Sequence, residues 1–92
     1  MTRKMNSILI STNNGKYYRI TVRAEKPWGS IEIAWDGIRN ATARGKTWIC
    51  FSESDGFEIR ENTATANVSK VMLNLDNICS IELFFKEDKK DE

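Results

Sequence analysis

Six basic side chains and a tyrosine are the residues best suited to hold a charged partner. Lys16, Tyr17, Arg19 and Arg23 lie close together in a strand-like stretch, and Arg39, Arg44 and Lys46 follow in a polar one. Arginines offer forked donors to phosphate or carboxylate, and a tyrosine ring can stack on a base or on another ring. The two groups converge if the first hairpin lies beside residues 38–46. The competing reading is a solvated sheet face whose arginine stems cover apolar neighbours. Trp28 follows Pro27 in a turn, and an exposed tryptophan is a favoured interface anchor.

Other chemistry is harder to assemble. The chain has no histidine, which removes Ser–His and Cys–His nucleophile pairs and the commonest zinc ligand. Arg44-Gly45-Lys46-Thr47 echoes the end of a phosphate-binding loop, but the glycine needed five positions before Gly45 is Asn40, and strand-like residues follow. Glu53, Asp55, Glu58 and Glu61 cluster without the spacing of a calcium loop. Cys50 and Cys79 are the two cysteines; each has apolar neighbours and reads as a small buried side chain, with a disulfide or redox pair as the alternative. No cofactor or metal is implied, and the expectation is a chain that is not an enzyme.

The elements that position these residues are mostly strands. Asn13-Asn14-Gly15 between two alternating runs predicts a hairpin, with Tyr18, Ile20 and Val22 inward and Tyr17, Arg19, Thr21 and Arg23 outward. Ile31, Ile33 and Trp35 alternate with polar or small residues and predict a third strand; residues 38–46 read as an exposed loop. Trp48–Ser52 and Phe57–Arg60 flank Glu53-Ser54-Asp55-Gly56 as a second hairpin, with Trp35 and Trp48 in the core. Residues 61–70 allow a short helix or a loop. Val71, Leu73 and Leu75 share a face of one further strand, and Ile81, Leu83 and Phe85 a face of the last. Phe84 points the other way, so the last strand is apolar on both sides, which favours a homo-oligomer or an edge-strand contact.

Val71-Met72-Leu73-Asn74-Leu75-Asp76-Asn77-Ile78-Cys79-Ser80-Ile81 resembles the second signature of Sm-like RNA-binding barrels, and Asn14-Gly15-Lys16-Tyr17-Tyr18-Arg19 resembles the hairpin that opens them. Ile20 and Leu75 stand where that family has glycine. The resemblance therefore implies a small, twisted, ring-forming barrel and no RNA site.

Length and charge bound the rest. The chain has 92 residues, 40% hydrophobic and 29% charged, which fits one domain. No apolar run reaches the roughly 20 residues of a membrane helix. The net charge of +1 hides an asymmetry: residues 1–48 carry +6 and residues 49–92 carry −5. Basic strands pairing with acidic ones would explain it, as would a basic binding face.

The expectation is an all-β chain with at most one short helix, a small antiparallel barrel or sandwich of about six strands over residues 1–86, and a frayed charged tail over 87–92. It is a cytoplasmic, non-catalytic module that binds a partner protein through its basic and aromatic surface. Inhibitors, immunity proteins and assembly subunits, including those that phage and plasmids encode, have this size. Nucleic-acid binding of the Sm-like kind, or capture of a small anion such as a nucleotide between subunits, uses the same arginines.

Overall fold

A computed structural model describes residues 3–23 and 31–87. The chain runs β1 (Arg3–Thr12), β2 (Tyr17–Val22), α1 (Ile31–Ala43), β3 (Trp48–Ser52), β4 (Phe57–Glu61), β5 (Lys70–Asn74) and β6 (Ile78–Glu87). It is mostly β, with two antiparallel sheets. One has four strands in the order β4-β2-β1-β6; the other pairs β3 with β5.

The first hairpin forms as its sequence demands. Ser11 pairs with Tyr17, Thr12 N–H donates to the Lys16 carbonyl (2.9 Å), and Gly15 takes φ +86°. That left-handed position is what Asn-Gly provides between twisted strands. Ile8, Ile10, Ile20 and Ile59 point from β1, β2 and β4 into one core and are fully buried. Lys16, just before β2, pairs with Glu61 of β4 at 3.4 Å, whereas within the strands Arg19 lies opposite Arg60.

Residues 31–43 are a helix and not the expected strand and loop. Ile31, Ala34, Ile38 and Ala41 are the buried positions, at helical and not alternating spacing. The alternation of Ile31, Ile33 and Trp35 was a coincidence of six residues. Ile33 is exposed (56%), and Trp35 is only partly buried against the core. Beyond the last helical residue, Ala43, the chain turns at Gly45, φ +70°, with Lys46 N–H donating to Ala41 C=O (2.9 Å) and Gly45 N–H to Thr42 C=O (3.2 Å). This is a Schellman cap, which needs a residue free to adopt the left-handed conformation. Residues 61–70, the other place where a helix was allowed, form turns and a single bridge from Val68 to Ile59.

The second expected hairpin is also different. β3 pairs with β5 and β4 with β2, so residues 53–56 carry the chain from one sheet to the other. Ser52 caps this short 3-10 turn by accepting from Ser54 N–H, and Gly56 closes it at φ +96°. Ser, Asp and Gly serve such a corner as well as a hairpin tip.

The register of β3 turns Ile49 and Phe51 inward and Trp48 and Cys50 outward. Trp48 is thus 52% exposed and not core. Both cysteines are free and exposed. Their apolar neighbours belong to the opposite face of a strand, or in the case of Cys79 to a bulge where Ser11–Ser80 pairing shifts to Thr12–Ile78. Among the described residues no helix is long and apolar enough to cross a membrane.

Candidate functional site

The predicted binding residues fall on two separate surfaces. Tyr17 and Arg19 project from β2 on the face of the four-stranded sheet that turns away from the Ile8–Ile10–Ile20 core. α1 packs on that core from the other side. Arg44 and Lys46 lie at the C-terminal end of α1, so the sheet separates them from Arg19 and the expected convergence does not occur. Arg39 is exposed on α1, 3.6 Å from Asp36 one turn earlier. Lys16 is engaged by Glu61. Arg23 is exposed just beyond β2, its backbone N–H donating to Gly56 C=O at 3.0 Å. Trp28 lies outside the described residues.

On the sheet face, Arg19 is built in. Its Nη1 donates to Ser7 Oγ (3.1 Å), and its guanidinium carbon sits 5.1 Å from the centre of the Phe84 ring. Ser7 is fully buried although it points to the outer side of β1, consistent with cover by these two side chains. Tyr17, half-exposed at 48%, stands two residues along the same strand. The register brings Arg60 beside Arg19, Glu58 beside Thr21, and Glu82 beside Leu9. The face is therefore aromatic but of mixed charge: Lys86, on the same side of β6 as Glu82 and Phe84, joins Arg19 and Arg60 against the two glutamates.

The second surface is concave. A groove of about 280 Å³ runs between α1 and β3. Ile33, Gly37, Asn40 and Arg44 line one wall, at the i, i+4, i+7 and i+11 positions of one helix stripe. Trp48 and Cys50 form the other wall, and Lys46 stands with Arg44 at one end. Ala34, Ile38, Ile49 and Phe51 contribute apolar lining. The Schellman cap turns the chain so that Arg44 and Lys46 flank Gly45, at the end of the helix where its dipole favours cations.

Charge alone pointed to Arg44 and Lys46. Ile33, Gly37, Trp48 and Cys50 were missed, because a strand over 31–36 and an inward Trp48 hide them. An Ile33–Gly37–Asn40–Arg44 stripe becomes visible only once residues 31–43 are read as helix.

Neither surface assembles a metal site: among the described residues no three cysteine or carboxylate side chains gather closely enough. The acidic cluster is dispersed. Glu58 accepts from Asn67 Nδ2 at 2.9 Å, and Glu61 takes the hydroxyl and the backbone N–H of Thr63 as well as Lys16. The Thr63 hydroxyl is the main reason that the Glu61 carboxyl is held below the ordinary glutamate range; burial opposes the shift, and the Thr63 backbone and Lys16 reinforce it.

Comparison with protein-family models, with curated proteins and with solved structures finds no match for this chain.

Proposed function

We propose that this chain is a non-catalytic protein-binding module that takes an acidic, apolar segment of a partner protein along the α1/β3 groove. The observation that carries the reading is the pairing of exposed Trp48 and Ile33, across a groove, with Arg44 and Lys46 at its end. Tryptophan and arginine are the side chains most enriched among energetic anchors of protein interfaces. Exposed apolar surface rimmed by charge marks interaction sites. A partner helix or strand with leucine or phenylalanine for the groove and Asp or Glu for the basic end complements it. Two separate antiparallel sheets, with no described strand pairing the outer side of β6, favour a layered sandwich-like arrangement over a closed, ring-forming barrel.

The groove supports a phosphate ligand less well. Anion cradles use the free N–H groups of a helix N-terminus. Arg44 and Lys46 stand at a helix C-terminus, where carbonyls and not amides end the ladder. The sheet face supports nucleic acid less well too, since Glu58 and Glu82 stand among Arg19, Arg60 and Lys86 there and would face phosphates.

Selection of random peptides displayed on phage tests the proposal. Pools enriched on the wild-type chain should combine Asp or Glu with large apolar residues. Binding should fall by about 30-fold or more in Trp48→Ala, as for an interface anchor worth about 2 kcal/mol. It should also fall in Gly37→Leu, which fills the groove from a position where an added Cβ meets nothing within 4 Å. Enrichment that ignores acidic residues, or binding that survives Gly37→Leu, would reject the groove.

A further inference from the structure

β6 forms one edge of the four-stranded sheet. At the opposite edge, β4 receives a bridge from Val68 to Ile59, so the 62–69 segment partly covers it. Among the described residues no strand pairs with the free side of β6. It is a long strand for an edge, ten residues, and it is regular from Ser80 to Glu87, because the irregularity near Met5 inserts Asn6 into β1. Phe84 is 38% exposed on one face and Phe85 45% on the other. Natural proteins rarely leave such an edge bare.

The sequence of β6 complements itself. In an antiparallel pair of β6 strands centred on Phe84, Glu82 of each chain faces the partner's Lys86, and Phe84 faces the partner's Phe84. Leu83 faces the partner's Phe85 on the other side of the sheet. Shifting the pairing by two residues, which moves the centre by one, destroys the match. Centring on Leu83 puts Glu82 opposite the partner's Phe84, and centring on Phe85 puts Glu82 opposite the partner's Asp88. A two-residue step is the smallest that keeps both α1 helices on one side of a continuous sheet. One register alone therefore places two opposite-charge pairs around an aromatic pair.

We infer that β6 is a homodimer edge, joining two copies through antiparallel β6–β6 pairing centred on Phe84 into one eight-stranded sheet. The occupant is a second copy of this chain, because Glu82 and Lys86 each find a charge of opposite sign on that copy in this register. Phe84 already lies against Arg19, so the paired rings would sit between two arginines. The inference is independent of the groove, which lies on the opposite side of the sheet.

Sedimentation of the full chain over a concentration series tests it. Wild type should reach twice the 10.6 kDa monomer mass. Glu82→Lys and Lys86→Glu should each weaken the dimer by about tenfold or more, since each turns two attractive pairs into repulsive ones. Circular dichroism should show both variants folded; Glu82 and Lys86 are exposed. An equal mixture of the two variants should restore the dimer, because one chain then offers two lysines and the other two glutamates. A wild-type monomer at every concentration would overturn the inference. So would a dimer indifferent to both reversals, or a mixture no stronger than either variant alone.

Discussion

Arg19 bonds Ser7 and stacks on Phe84, which makes it part of the sheet as much as of its surface. Replacing it removes a hydrogen bond to a buried hydroxyl, worth about 1 kcal/mol, and a partly exposed cation–π contact of about 0.5–1 kcal/mol. Arg19→Ala should therefore lower unfolding stability by about 1–2 kcal/mol in urea titrations. A change near zero would show that the contact contributes nothing. Charge reversal at Arg19 is for the same reason a poor probe of binding, although sequence alone makes it the natural choice. Glu61 makes a different prediction. Its carboxyl is held below the ordinary range in the folded chain, mainly by the Thr63 hydroxyl. Folding is then favoured while Glu61 is ionised, and that contribution fades as pH falls from about 4.3, the ordinary glutamate value, through the lowered folded value. Glu61→Gln should flatten this part of the acid limb of the stability curve. An unchanged acid limb would mean that the Thr63 and Lys16 contacts do not distinguish the two protonation states.

At the scale of elements, one glycine within α1 and one just beyond it have opposite meanings. Gly37 sits within the helix where an added Cβ meets nothing within 4 Å, so only its backbone freedom distinguishes it from alanine. Gly37→Ala should stabilise the chain by about 0.5–1 kcal/mol. Gly45 holds φ +70° in the Schellman cap, and Gly45→Ala should cost about 1–2 kcal/mol even though space is free there. Thermal melts of the two variants should move in opposite directions. A Gly45→Ala chain as stable as wild type would contradict the cap. These same residues explain what the sequence conceals. The β1–β2 hairpin is legible because Asn13-Asn14-Gly15 fixes its turn locally and the two strands alternate cleanly. α1 is not, because two of its four buried residues are alanines, Ala34 and Ala41, which carry little apolar signal, while Ile31, Ile33 and Trp35 mimic a strand. The 53–56 corner is not legible either: turn chemistry is local, but the choice of β5 for β3 and of β2 for β4 is made by long-range packing.

For the whole molecule, the core divides two kinds of surface. One side presents an aromatic sheet face of mixed charge around Arg19 and Phe84; the other presents a groove with Trp48, Ile33 and a basic end. The sequence showed the cations of both surfaces but not their separation, since only the packing of α1 on the inner side of the sheet sets them apart. A binding module with its anchor in the groove predicts that a ligand perturbs one side alone. The decisive measurement is an NMR titration of the ¹⁵N-labelled chain with a peptide from the display selection, with a single-stranded oligonucleotide as a parallel probe. The account predicts that the peptide shifts the amides of Ile33, Gly37, Asn40, Arg44 and Lys46 and the indole of Trp48, and leaves Tyr17, Arg19 and Phe84 in place. Peptide shifts confined to Tyr17, Arg19 and Phe84, or a response to the oligonucleotide alone, would contradict it.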